Sequence, residues 1–145
     1  MAGASSAFRL GDGVMDRWKI FRRKSADAVA MVLKIDADNE QVVLDFDGEF
    51  QQMPPEDLQD EMSDSSPRWI LWLFKHERDD GRTQYPLLLV YFSPLSCNAK
   101  SKMLYASCTP FIAQTLEIAK VHELQDLEEM TLDKLQSLHA SSVTR

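Results

Sequence analysis

Two apolar runs joined by a short polar turn limit this chain more than any other feature. RWILWLFKHE (68–77) and TQYPLLLVYFS (83–93) flank RDDGR, and an Asp-Gly pair between β-rich runs marks a hairpin. A strand with one wet face alternates apolar and polar residues. These two arms are almost continuously apolar, so both of their faces must be covered. The hairpin therefore belongs at the centre of a sheet with helices on either side.

A second stretch supplies one of those helices. CNAKSKMLYASCTPFIAQTLE (97–117) carries Tyr105, Cys108, Ile112 and Leu116 at helical spacing, joined by Leu104 and Phe111. That stripe is wide enough to lie on a sheet. A helix of this length spans roughly 30 Å. Pro110 removes one backbone donor and presses on the carbonyl of Ala106, which predicts a bend. The opposite side presents Lys100, Met103, Ser107, Pro110 and Gln114, and Lys102 stands nearby. Small residues, two lysines and a flexible apolar methionine suit a docking face.

The other elements follow in order. Asp12 is placed to cap a first helix reaching about Arg23, with Leu10, Val14, Trp18 and Phe21 on its buried side and Met15 beside them. AVAMVLKI (28–35) and QVVLDFD (41–47) read as strands joined by a polar turn, with Val42, Leu44 and Phe46 inward. Pro54-Pro55 opens a short helix anchored by Leu58 and Met62. AKVHEL (119–124) is a last strand, and Thr131 caps a last helix with Leu132, Leu135 and Leu138 on one face. The predicted order is αββαββαβα.

At 145 residues the chain suits one domain with its own core. No apolar run is long enough to span a bilayer, and the N-terminus lacks the basic start and apolar segment of a secretory signal. Cys97 and Cys108 point apart on the proposed helix, so reduced thiols in an intracellular protein are expected. The net charge of −7 is segregated: residues 1–34 carry +4, residues 36–64 carry −11, and the rest balances. Such asymmetry suits a protein partner with its own charge pattern and argues against nucleic acid. Five cations crowd residues 17–24: Arg17, Lys19, Arg22, Arg23 and Lys24. One or two would satisfy the helix dipole, so a contact is expected there.

Catalytic and metal readings find little. Asp36, Asp38 and Glu40 imitate the start of a calcium loop, but Gln41 and Asp47 stand where such a loop needs Gly and Glu. His76, His122 and His139 are scattered, neither cysteine has an evident base, and no glycine-rich phosphate loop exists. The expectation is no enzyme, no cofactor and no metal.

Several of these segments carry a resemblance. KID-x-D (34–38), VVLD (42–45), PPEDLQDE (54–61), PRWI (67–70), DDGRTQYPLLLVYFSP (79–94) and QTLEIAKVHELQDLEEMTLDKL (114–135), with SKMLYAS in the long helix, resemble the actin-depolymerising-factor homology domain. Within that superfamily the chain is most similar to the glia maturation factor family. The resemblance implies an α+β, gelsolin-like fold: a central five- to six-stranded mixed sheet sandwiched between helices. It implies one such domain over residues 10–139, with flexible ends at 1–9 and 140–145. The implied partner is the actin-related protein 2/3 complex, whose nucleation such proteins inhibit and whose filament branches they dissociate. Binding to actin itself is left open, the default state is a monomer, and neither membrane nor nucleic acid is implied. The implied location is cytoplasmic, at cortical actin structures, with the nucleus also open.

By the same resemblance the main docking surface joins the N-terminal region and Lys19, Arg23 and Lys24 to Lys100, Lys102, Met103, Ser107 and Pro110. A second surface, around the hairpin and last helix, holds Arg78, Asp80, Arg82, Glu128, Glu129 and Lys134. One departure matters. Glia maturation factors typically carry uncharged or acidic residues where Lys100 and Lys102 stand, and KSKMLYAS is closer to cofilin. The alternative is therefore a cofilin-like protein that binds actin monomers and filaments and severs them.

Overall fold

The computed structural model describes residues 8–143. Its centre is a mixed sheet of six strands in the order β1-β3-β2-β4-β7-β8. In chain order these are β1 (Arg9–Leu10), β2 (Ala28–Asp36), β3 (Gln41–Leu44), β4 (Arg68–Phe74), β7 (Leu87–Phe92) and β8 (Val121–Leu124). The short strands β5 (His76–Glu77) and β6 (Thr83–Gln84) form a separate ribbon at the hairpin tip. β1 lies parallel to β3 and β8 parallel to β7, while the four inner strands pair antiparallel. The helices are α1 (Val14–Phe21), α2 (Pro55–Leu58), α3 (Ala99–Thr115) and α4 (Leu132–Val143).

The apolar arms do sit in the middle, and the period-2 geometry of a strand sorts their side chains. Val29, Met31, Leu33, Trp69, Leu71, Leu73, Leu89 and Tyr91 face one way, against Val14, Trp18 and Phe21 of α1 and Tyr105, Cys108 and Ile112 of α3. Ala30, Val32, Ile70, Trp72, Phe74, Leu88, Val90 and Phe92 face the other way, toward Leu58 of α2 and Leu135 of α4. Burying one such side chain fully contributes about 1.5–3 kcal/mol. Two cores on one sheet explain why residues 69–74 and 87–92 are apolar throughout.

Several local expectations change. Leu10 is not on the first helix; with Arg9 it forms β1, and the Gly11 N–H donates to the Val42 carbonyl at 2.8 Å. Glycine permits this approach, since a Cβ there would meet Val43 Cγ1 at 3.0 Å. Asp12 does not cap α1. Gly13, at φ +84°, occupies the capping position, and the helix ends at Phe21 rather than Arg23. β3 stops at Leu44 instead of Asp47, because Asp45 begins a tight turn in which Phe46, Asp47 and Gly48 all have φ near +54° to +85°. Leu44 packs on the first core and Phe46 on the second, so the chain changes faces there.

Cys97 precedes α3, whose start is capped by Asn98: Oδ1 accepts the Ser101 N–H at 2.8 Å. α3 then runs through Pro110 as one helix. Thr131 caps α4 as expected, its Oγ1 accepting the Lys134 N–H at 3.1 Å. That helix continues to Val143, beyond the boundary drawn at 139.

Asp45 joins three elements. Its Oδ2 meets Arg68 Nε of β4 at 2.9 Å, its Oδ1 accepts the Phe46 N–H at 2.8 Å, and Lys34 of β2 lies 3.5 Å away. Burial pushes the carboxyl upward, but the Arg68 hydrogen bond, the Phe46 N–H and the two cations outweigh it and hold the group below its ordinary value. A carboxylate so lowered stabilises the fold above its ordinary range, and that contribution is lost as pH falls through the folded value. Asp45→Asn keeps an acceptor for Phe46 but loses the charge. It lowers the thermal midpoint at neutral pH, and the gap from wild type closes as pH falls below about 4 in melts followed by circular dichroism.

Candidate docking surfaces

α3 lies on the first core with its roll fixed by two side-chain hydrogen bonds. Tyr105 Oη accepts the Ile35 N–H of β2 at 3.0 Å. Trp69 Nε1 of β4 donates to Thr109 Oγ1 at 3.0 Å, and that hydroxyl in turn donates to the Tyr105 carbonyl at 2.8 Å. The Trp69 and Tyr105 rings meet with centroids 4.9 Å apart. With Tyr105, Cys108, Ile112 and Leu116 inward, the outward ridge consists of Lys100, Met103, Ser107, Pro110 and Gln114, all exposed. Met103 is 73% exposed, an unusual cost for a side chain of its size. Lys102 is half-buried on the flank of this ridge rather than on its crest.

The first-helix cations divide. Arg17 lies over the Phe50 ring at 4.3 Å, Lys24 over the same ring at 5.3 Å, and Arg22 over Trp18 at 5.7 Å. Three of the five are therefore engaged within the fold. Lys19 and Arg23 remain exposed with no ion pair among the described residues. They share the α3 layer but not its position. α1 is entered at Gly11, beside Val42 and so at the end of the strands where β7 stops and α3 begins. It ends near Phe50, next to the Gln51–Ala30 bridge, which carries Lys19 and Arg23 away from the start of α3. The N-terminal part of the expected surface, before residue 8, lies outside the described residues. β1 nevertheless brings the chain in beside Gln41, next to the Asp36–Glu40 turn, at the same end of the sheet as the start of α3.

The second expected surface is split by the topology. At the hairpin tip, Arg78 Nη2 and Arg82 Nε meet Asp80 Oδ2 at 3.4 and 3.7 Å, and Asp80 Oδ1 accepts the Arg82 N–H at 3.0 Å. Asp80 thus orients both guanidinium groups. His139 of α4 packs beside His76, so the last helix does border this tip. Glu128 and Glu129 do not. They follow β8 and line a groove of about 830 Å³ with Gln59, Asp64, Leu95 and Glu123, beyond Phe92 and so at the far end of β7. Lys134 is half-buried in the first turn of α4, its N–H held by Thr131.

Sequence reasoning missed Leu95, which is 71% exposed beside the start of α3. Its signal, a large apolar residue in a polar turn, was available. Among the described residues no three His, Cys, Asp or Glu side chains are placed to hold a metal, and no helix is long and apolar enough to cross a membrane. Burial pushes the Cys108 thiol up to about 11, away from nucleophilic use.

The sequence pattern of the cofilin/tropomyosin-type actin-binding proteins matches residues 7–138. Glia maturation factor beta of Rattus norvegicus is 36% identical over 123 residues, covering 84% of this chain and 85% of that protein. The chain belongs to the glia maturation factor family. The family's member from Drosophila melanogaster is 28% identical over 130 residues, covering 88% of this chain and 92% of that protein. The solution structure of glia maturation factor from Caenorhabditis elegans superposes with a TM-score of 0.74 at 28% identity, over 94% of this chain and 99% of that one. Streptomyces griseoflavus cofilin reaches 0.74 at 15% identity, over 92% and 98% of the two chains, a likeness of fold alone. Membership of the glia maturation factor family brings a non-enzymatic, actin-regulatory role.

Tyr105 ties the family fold to the exposed ridge, and that tie has a measurable cost. Tyr105→Phe leaves the Ile35 N–H without its acceptor and destabilises the chain by about 1–3 kcal/mol in urea titrations.

Proposed function

We propose that the protein binds the actin-related protein 2/3 complex, inhibits its nucleation of actin and dissociates filament branches at cortical actin structures in the cytoplasm. The observation that carries this reading is the exposed Met103, held outward on a helix whose other side is buried. A flexible apolar side chain flanked by Lys100 and Lys102 fits an apolar cleft with an acidic rim. No bond is made or broken. The ridge of α3 docks, and the Arg78–Asp80–Arg82 tip competes with the daughter filament for the same neighbour. Binding then favours the debranched state, which is what a thermodynamic destabiliser needs.

The Lys100–Lys102 pair supports a second reading, cofilin-like binding to actin itself. Co-sedimentation with filaments, run beside a debranching assay, separates the two: pelleting with bare actin without branch loss favours the second.

Met103→Ala with Lys100→Ala weakens binding to the nucleator at least about tenfold in pull-downs, since a truncated anchor typically costs more than 1 kcal/mol. Unchanged affinity removes the α3 ridge from the interface. Arg78→Ala with Arg82→Ala spares that binding yet lengthens branch lifetimes several-fold under fluorescence microscopy, because the hairpin tip lies away from α3. Wild-type lifetimes in this variant overturn the two-surface reading.

A further inference from the structure

The hairpin tip stands outside the six-stranded sheet as a ribbon of two residue pairs, His76 with Gln84 and Glu77 with Thr83. Its root is tied by the Lys75 N–H to the Asp27 carbonyl at 3.0 Å and the Phe74 N–H to the Pro86 carbonyl at 3.3 Å. Further out, its described ring contact with the rest of the molecule is with α4. The His76 and His139 rings meet edge to face with centroids 5.2 Å apart, and His139 also stands edge-on to Phe74 at 6.4 Å. Both histidines border a groove of about 610 Å³ with Glu77, Arg78, Asp79, Asp80, Gln84 and Ala140.

We infer that the His76–His139 pair is a proton-operated latch, which holds the hairpin tip against α4 when both rings are neutral and releases it when both are charged. Two imidazolium ions at this separation repel, and histidine is the side chain whose charge changes near neutrality. Most of the surrounding charges are already paired with one another, which leaves Asp79 as the one groove carboxylate free to favour a second proton. On the hairpin, Glu77 pairs with Lys75 at 3.6 Å and Asp80 with both Arg78 and Arg82, so Asp79 alone lacks an ion pair among the described residues. From β4 the facing group is the uncharged Phe74. From α4 the groove receives His139 and Ala140, while that helix's charged residues, Asp133 and Lys134, lie in its first turn. Burial, and then the charge of His76, hold His139 below its ordinary value. The sign follows: docking is complete above the usual histidine range and is lost as pH falls through the lower folded value.

This inference deepens the proposed second surface, because the latch decides how rigidly Arg78 and Arg82 are presented. It is tested on the free chain, so its failure is visible apart from any failure of the nucleator reading. Nuclear magnetic resonance follows both imidazole C–H signals and the backbone order parameters of residues 76–84 between about pH 7.5 and about pH 5.5. The tip changes from order parameters near about 0.85 to below about 0.6, while β4 and β7 stay rigid. His76→Gln raises the His139 titration midpoint, since the like charge is gone. His139→Phe keeps an aromatic edge against Phe74 and leaves the tip ordered at both pH values. A tip equally ordered across the range in wild type overturns the latch. So does the same loosening in both variants, or a His139 midpoint unmoved by His76→Gln.

Discussion

The Tyr105 hydroxyl and the Ile35 N–H of β2 form the contact on which the orientation of the exposed α3 ridge depends. A helix turns about 100° per residue, so a small error in roll exchanges one ridge for another. Hydrophobic burial alone fixes roll loosely, because a broad apolar stripe can rock on a sheet. The Ile35 bond and the Trp69–Thr109 bond, one turn apart on α3, remove that freedom. Met103 is held in solvent by contacts made on the other side of the same helix. A change in the core at Trp69 therefore reaches the exposed ridge without touching it.

The same economy appears on α1, where three of the five cations serve the fold. Arg17 and Lys24 bracket Phe50, and Arg22 lies over Trp18, so aliphatic stems and cationic heads cover aromatic surface that would otherwise face water. Lys19 and Arg23 stay exposed, outside these ring contacts. Asp45 works similarly on the acidic side. It lies in the most negative part of the chain, yet it is consumed by Arg68 and Lys34 in holding the turn that carries the backbone from one core to the other.

Much of this was legible from the residues. The unbroken apolar arms dictated a doubly covered sheet, the Tyr105–Leu116 spacing dictated which side of α3 is buried, and Thr131 marked the start of α4. What escaped was of two kinds. Strand β1 is two residues long, too short for any periodicity, and it exists because Gly11 allows close passage beside Val43. The turn at Phe46–Gly48 puts two non-glycine residues at positive φ, which propensity reads as continued strand. The grouping of the expected site residues met a different limit. Spacing shows which face of one helix is outward, but not which end of a sheet a loop reaches. Glu128 and Arg78 were grouped by nearness to the last helix, and the pairing of β7 with β4 and β8 sends them to opposite ends.

The strands at the two margins of the sheet are short, two described residues in β1 and four in β8, and no other member is shorter than β8. An unpaired strand margin is a template on which another chain can add itself, and the hazard grows with length and flatness. Here the long strands β2 and β4 are each enclosed by neighbours on both sides. A stranger meets either a two-residue stub or the margin carrying His122 and Glu123, beside Lys120. Neither long strand is thus open as a template on which a second copy of the chain could stack.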